Sequence, residues 1–426
     1  MTHIVVLGAG LGGITQACEL RQMLSGQARI TVVSDLPYFE FTPSNPWVAV
    51  GWRQPSDIRV DLAETLGRHG LNFIGKAAAK VRPEQNCIEL TDGEKVDYDY
   101  LVIATGPALA FDEVPGLGPH GGYTQSVCKT DHARQAMDDF EKLVADPGPV
   151  VVGAAQGASC FGPAYEYAFI LETELRRRKI RDRVPMTFVT PEPYIGHLGL
   201  DGVGDTRSML ESELRERHIK WVTNARIEEV TDGRVRVSEM SSAGKVGQEH
   251  DLEFRHAMIL PAFRGIDAVR DVEGLVNPRG FVVIDDYQRN PTYPNVYAIG
   301  VCVAIPPVGP TTVPLGTPKT GYMIESMATA ATHNIADAMA GREPGHRATW
   351  NAVCLADFGD RGVAFVALPQ IPPRNTNWSG EGKWVHLAKV GFEKYFLRKV
   401  RRGQTEPVYE RLVMRLLGVD KLRQPS

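Results

Sequence analysis

Two cysteines stand where a thiol could do chemistry. Cys160 follows an apolar run, Val150–Val152, and a turn of small residues from Gly153, and it precedes a helical pattern that continues through Glu174. This spacing predicts a helix N-terminus with Cys160 in its first turn. Free N–H groups and the helix dipole there lower a thiol pKa and favour a nucleophilic thiolate. Cys354 sits in Trp350-Asn351-Ala352-Val353-Cys354, with Asp357, Gly359 and Gly362 close behind. Taken alone, either residue reads equally well as a buried small hydrophobe, the commoner fate of a free cysteine. The six cysteines are Cys18, Cys87, Cys128, Cys160, Cys302 and Cys354, with no CxxC among them. That spacing argues against a structural zinc site, and the chain length argues against a secreted disulfide framework. No metal site is expected.

A second chemistry is written in glycines. Gly8-Ala9-Gly10-Leu11-Gly12-Gly13 fits GxGxxG between an apolar strand, His3–Leu7, and a helical pattern, Ile14–Leu24. Gly8 permits the tight turn, Gly10 lets a pyrophosphate approach the backbone, and Gly13 lets helix and strand pack closely. The helix N-terminus offers N–H groups to the phosphates. The acid that usually closes the second strand and holds the ribose is replaced: Ser34 stands there, followed by Asp35. A second strand–turn–helix carries Gly153, Ala155 and Ala158 at the glycine positions. The middle glycine is lost, so this unit reads as a dinucleotide site without its ligand, bearing a thiol instead.

The elements that must position these groups follow from pattern. Strands are expected at His3–Leu7, Ile30–Val33, Tyr100–Ala104, Val150–Val152, around Phe188-Val189 and at Val296–Ile299. The fold class is therefore α/β: two interleaved Rossmann-like dinucleotide-binding domains, the first resumed after the second, plus a C-terminal region with amphipathic helices. The expected boundaries are 1–110, 111–255, 256–348 and 349–426. The chain has 426 residues, 43% hydrophobic and 23% charged, with net charge -4, so disorder and a nucleic-acid partner are not expected. The start shows no secretory signal pattern. The longest uncharged stretch, Asn290–Pro318, holds seven prolines and is not a spanning helix.

Residues Lys389–Ser426 carry ten Lys/Arg against four Asp/Glu, a net of +6. Phe392, Tyr395, Phe396 and Val400 share one helical face; Val408, Leu412, Val413, Leu416 and Leu417 share another. Basic amphipathic helices of this kind lie in a lipid interface, although packing on a core or a dimer contact gives the same pattern.

Longer motifs carry a resemblance. GASCFGPAYEYA (Gly157–Ala168), EPYIGHLG (Glu192–Gly199), PKTGYMIESM (Pro318–Met327) and WNAVC with DFGDRG (Trp350–Gly362) resemble bacterial sulfide:quinone oxidoreductases of the acidophile type over nearly the whole chain. The resemblance implies FAD as cofactor, hydrosulfide and a ubiquinone-type quinone as substrates, and a monotopic place on lipid at the bacterial cytoplasmic membrane. It implies that Cys160 and Cys354 are the redox pair, bridged by a disulfide or by extra sulfur, with Cys128 as a third functional cysteine. Glu166, His132 and His197 match proton-handling positions. Thr105, Gly106, Lys319 and Gly321 match positions around the flavin ring, with Lys319 stabilising charge at the flavin pyrimidine. Pro43, Ala78, Ala104, Gly300, Val301, Thr320 and Lys389 complete the implied cofactor set. Gly300-Val301 replaces the family's common Gly-Asp, which leaves a backbone N–H to serve there. Tyr322, Leu355, Phe392 and Tyr409 match quinone-contacting positions. Homo-oligomerisation stays open. Three alternatives share features with this reading: the flavoprotein subunit of a flavocytochrome c sulfide dehydrogenase, a type II NADH:quinone reductase, and a flavin-binding redox sensor without turnover.

Overall fold

The computed structural model describes residues 1–407, 410–412, 414 and 418–423. In chain order, the elements that position the site begin with β1 (Thr2–Leu7), α1 (Leu11–Leu24), β2 (Ala28–Val33), α2 (Asn45–Val48), β3 (Asn72–Ile74) and β4 (Tyr100–Ile103). There follow α3 (Thr130–Ala145), β5 (Val150–Ala154), α4 (Gly162–Arg177), β6 (Met186–Val189), α5 (Thr206–Glu216), β7 (Ile219–Val222) and β8 (His256–Leu260). The last are β9 (Val296–Ala298), α6 (Gly321–Met339), β10 (Ala352–Asp357), β11 (Gly362–Leu368), β12 (Thr376–Gly382) and α7 (Lys383–Arg401).

Two parallel sheets form the frame. The first runs β9-β4-β1-β2-β3 and the second β7-β6-β5-β8. Their central strands are continuous apolar runs with both faces covered, as buried parallel strands require. The chain leaves the first sheet after β4, builds the second, and returns with β9 beside β4. The boundary expected between residues 255 and 256 falls one strand early. β8 pairs in register with β5, His256 opposite Val150 and Leu260 opposite Ala154, so it belongs to the second sheet.

Within the C-terminal region expected at 349–426, where only helices were anticipated, residues 352–382 form an antiparallel sheet, β10-β11-β12. β10 carries Cys354, which sits opposite Phe365. α7 then packs back onto this sheet. The expected outward apolar face of α7 is divided. Phe396 and Val400 are buried, and Phe396 lies 6.0 Å from Phe39 and 5.3 Å from Phe41 between ring centroids, while Phe392 is 41% exposed. Half of that face is therefore core. Of the second expected face, Leu412 is exposed; Val408, Val413, Leu416 and Leu417 lie outside the described residues.

A buried ion cluster ties the β10–β11 turn to the second sheet's helices. Arg217 donates to Glu172 at 2.7 Å, to Glu213 at 3.0 Å and to Asp360 at 2.7 Å, and is 6% exposed. Glu172 keeps Arg176 and Arg181, and Glu213 keeps Arg361, so removing the Arg217 charge breaks the buried links among Glu172, Glu213 and Asp360 without leaving a carboxylate unpaired. Arg217→Met should therefore lower unfolding free energy by about 2 kcal/mol, read as a shift in the denaturant midpoint of the flavin-loaded protein.

Candidate active site

The glycine turn after β1 has the geometry of a dinucleotide cradle. Gly8 has φ of +106°, and a Cβ there would collide with the Ala104 carbonyl; a Cβ at Gly13 would collide with the Gly8 carbonyl. A Cβ at Gly10 would meet nothing within 4 Å, so the backbone is open on that side, where a pyrophosphate needs close approach. Gly10 caps α1 without any side-chain hydrogen bond, which leaves early N–H groups for a ligand. Ser34 is buried at the end of β2 and Asp35 is exposed beside it. Thr105 and Gly106 follow β4, and Gly106 has φ of +66° with open space at its Cβ. Gly300 is buried with φ of +79° at the end of β9.

Lys319 gives an independent sign of an anionic or electron-rich ligand. Among the described residues it has no carboxylate partner; its ammonium lies 5.3 Å from the Phe281 ring centroid. Burial pushes its pKa down to about 8. A desolvated, unpaired ammonium beside the Thr105–Gly106 strand end fits the pyrimidine edge of a flavin.

The second glycine turn is closed by the chain itself. Gly157 N–H donates to the Pro314 carbonyl at 2.7 Å, and Gly316 N–H donates to the Ala158 carbonyl at 2.9 Å. The Pro-rich strap 306–318 thus uses the turn's backbone groups, and a Cβ on Gly316 would collide with Ser159. The Gly157 N–H and the Ala158 carbonyl are thereby taken by the strap.

Cys160 precedes Phe161, the cap of α4, so it stands just before the helix and not in its first turn. The expected depressed pKa is reversed. Burial, with Cys128 and Glu166 nearby, raises the Cys160 thiol to about 12. Burial, with Cys160 and Glu166 nearby, raises Cys354 to about 12, against a hydrogen bond with Thr320. Cys128 is raised to about 11 by burial. The dipole term is overruled because desolvation of a buried anion is the larger cost. The structure therefore gathers Cys128, Cys160 and Cys354 into one electrostatic neighbourhood, all as free thiols.

Glu166 lies near Cys160 and Cys354. It is 6% exposed, and its Oε1 accepts from the Asp357 N–H at 2.6 Å and from the Lys389 ammonium. Burial raises its pKa while Lys389 opposes. Lys389, expected among the cofactor contacts, thus has its ammonium engaged by Glu166. His132 is buried, and burial with His120 and Lys129 pushes it down to about 4; its Nδ1 has no hydrogen-bond partner among the described residues. His197 is buried in the Glu192–Gly199 loop and also lowered by burial; its Nδ1 accepts from Gly199 N–H at 3.2 Å. Tyr322 is buried with its hydroxyl donating to the Val419 carbonyl at 3.2 Å, Leu355 is half-buried on β10, and Phe392 is exposed on α7. Tyr409 lies outside the described residues.

Three residues escaped the sequence reading. Trp47 Nε1 donates to Asp357 Oδ2 at 2.7 Å, and His386 Nδ1 meets Asp357 Oδ1 at 2.8 Å. Asp357 lay in plain view within the DFGDRG motif. Trp47 and His386 carry no local signal; only the fold brings them together.

The pyridine nucleotide-disulphide oxidoreductase family model matches residues 2–331. The sulfide-quinone reductase of Aquifex aeolicus is 41% identical over 416 residues, 97% of this chain and 94% of that one. The X-ray structure of the sulfide:quinone oxidoreductase from the same hyperthermophilic bacterium superimposes with a TM-score of 0.95, 40% identity, and 100% and 98% of the two chains covered. NDH2 from Plasmodium falciparum in complex with NADH, 14% identical, shares the fold with a TM-score of 0.71 over 99% of this chain and 100% of that one.

The raised thiol pKa values set a measurable reactivity. In reduced protein near pH 8, iodoacetamide should modify Cys160 and Cys354 at least about tenfold more slowly than an ordinary free cysteine. The rate should keep rising as pH is increased toward about 10, with no plateau near neutrality. Peptide mass spectrometry reads both sites.

Proposed function

The chain belongs to the sulfide:quinone oxidoreductases, within the pyridine nucleotide-disulphide oxidoreductase family, and from this we propose that it oxidises sulfide and reduces a quinone, with Cys160 and Cys354 as the working thiols. The observation that supports the residue assignment is that two cysteines distant in sequence, Cys160 and Cys354, lie near each other and near one buried carboxylate, Glu166, with Cys128 near Cys160. FAD is the cofactor. The Gly8–Gly13 turn, Ser34, Thr105–Gly106, Gly300–Val301, Lys319 and Gly321 would hold it. Bound FAD supplies two-electron exchange between the thiol side and quinone.

The protein's own part begins with a sulfur bridge between Cys160 and Cys354. Hydrosulfide attacks the Cys160 sulfur of that bridge; a new S–S bond forms on Cys160, and the Cys354 sulfur leaves with the electron pair. Cys160 carries the added sulfur as a persulfide. Each further hydrosulfide adds one sulfur only after two electrons have left the thiol pair for quinone, by way of the FAD the site would hold, and the chain then departs as polysulfide or sulfur, with Cys128 assisting at the entrance. Thr320 lies beside Cys354, its hydroxyl donating to Gln370 Oε1 at 2.7 Å, and a turn of that hydroxyl toward the departing sulfur would favour the thiolate. Glu166 holds or yields a proton beside the thiols, its affinity raised by burial. Lys319 supplies positive charge at the cofactor.

The strap over the second glycine turn disfavours NADH as donor. In stopped-flow mixing, sulfide should bleach the flavin and NADH should not, with quinone restoring the colour. Cys160→Ala and Cys354→Ala should each abolish sulfide-dependent quinone reduction while flavin stays bound; near-normal turnover in either rejects its assignment.

Quinones are lipid-soluble, and the protein presents a surface suited to lipid. α7 exposes Trp384, Leu387 and Phe392, β12 exposes Trp378, and Lys383, Lys394 and Arg398 are exposed on the same helix. No described helix is long and apolar enough to cross a membrane. The reading is therefore a monotopic enzyme on the bacterial cytoplasmic membrane, resting on this surface. Truncation after Arg398 is a poor test, because Lys399 and Lys421 pair with buried Glu325. Trp384→Glu with Leu387→Glu leaves those pairs intact and should sharply reduce co-sedimentation with anionic vesicles. Unchanged sedimentation would place the lipid contact elsewhere.

A further inference from the structure

The proposed reaction does not balance in protons within the site. Hydrosulfide oxidised to zero-valent sulfur releases two electrons and one proton. A quinone reduced to quinol takes two electrons and two protons. One proton per turnover must come in from water. Glu166 and Lys389, the ionisable pair beside the thiols, are 6% and 4% exposed and have little direct access to solvent.

We propose that His386 is the solvent end of a proton-uptake path to Lys389 and Glu166, and that Asp357 is the positioning residue that aims it. His386 and Lys389 both lie on α7, three residues apart and thus neighbours on one helical face. The His386 side chain is 27% exposed, while Asp357 is fully buried. Asp357 Oδ1 takes His386 Nδ1 at 2.8 Å and Gly359 N–H at 3.0 Å; Oδ2 takes Trp47 Nε1 at 2.7 Å. A carboxylate at Nδ1 puts the ring proton on that nitrogen and leaves Nε2 as the acceptor. The Trp47 ring fixes the other side. Its centroid lies 5.4 Å from the Lys389 ammonium, 6.4 Å from the His386 ring and 4.6 Å from the Arg53 guanidinium carbon. Asp357 also donates its own N–H to Glu166, so one residue orients both ends of the path. The charged groups facing His386 and its neighbours are Asp357 from β10, Lys389 on its own helix, and Arg53 across Trp47.

The transfer is stepwise and conserves charge. An N–H bond forms at His386 Nε2 as water or buffer gives up a proton. An O–H bond forms on Glu166 as Lys389 gives up one of its own. The Lys389 N–H is restored as the Nε2–H bond breaks.

The inference rests on the sulfide:quinone reading, and the experiment separates the two. Turnover with sulfide and a short-chain quinone is measured in weak buffer for the wild-type holoenzyme, His386→Ala and His386→Gln, with flavin absorbance as the check on folding. Both variants should turn over roughly tenfold more slowly, and added imidazole should restore most of the loss. Asp357→Asn should slow turnover when His386 is present and add little in the His386→Ala background, since a positioning residue acts through its partner. Wild-type rates in both His386 variants, or slow rates that imidazole leaves unchanged, would overturn the path while leaving the enzyme's function intact. Failure of sulfide to bleach the wild-type flavin would instead remove the reading on which it stands.

Discussion

The molecule is organised around a carboxylate that has been taken out of water. Glu166 is held between a strand amide from β10 and an ammonium from α7, while its own helix starts beside Cys160. Three segments far apart in sequence meet at that one oxygen. Desolvating a carboxylate is expensive, and the expense is offset only if the amide and the ammonium keep their places. Whatever holds Glu166 therefore also holds β10, and with it Cys354, against the start of α4. The Arg217 cluster does the same work from the outer side, joining Asp360 on the β10–β11 turn to Glu172 on α4. The thiol pair is a consequence of these two anchors and not of any contact between the sulfur atoms.

The two glycine turns show how one local pattern serves opposite ends. In the first, absent side chains leave a surface open for a phosphate to reach the backbone. In the second, small residues let the strap 306–318 come down and take the backbone hydrogen bonds itself. The chain thus supplies its own occupant for the second turn. Beside this turn the half-buried Cys160 thiol is desolvated, which makes its thiolate costly. A thiol kept protonated at rest is protected from adventitious oxidation.

What the sequence made legible follows from the range of each interaction. The first cradle was readable because strand, turn and helix are contiguous, and Gly8, Gly10 and Gly13 have the roles their spacing predicts. The interleaving of the two sheets was readable from apolar runs, with an error of one strand at β8, since no turn signal marks where a parallel strand pairs. The pairing of Cys160 with Cys354 was not derivable from pattern; only the longer motifs pointed to it. The pKa of Cys160 was misjudged in sign because the dipole argument is local and desolvation is not. The β10–β12 sheet was missed because its half-buried residues do not alternate cleanly, and the Trp47–Asp357–His386 contacts were invisible because they join residues hundreds of positions apart. On α7, helical periodicity identified an apolar face but not which part of it meets Phe39 and Phe41.

The return of the chain through β9 bears on how the protein is made. β4 has its second neighbour only once residues 296–298 have been synthesised, and α6, which packs on α1, comes later still. During translation the amino-terminal part through residue 103 must wait as an incomplete sheet with an unpaired edge, while the inserted second unit, completed by β8, can reach its final shape first. Long-range parallel pairing of this kind is slow to form and exposes strand edges meanwhile. The order of maturation is thus inverted relative to the order of synthesis: the middle of the polypeptide settles before its beginning.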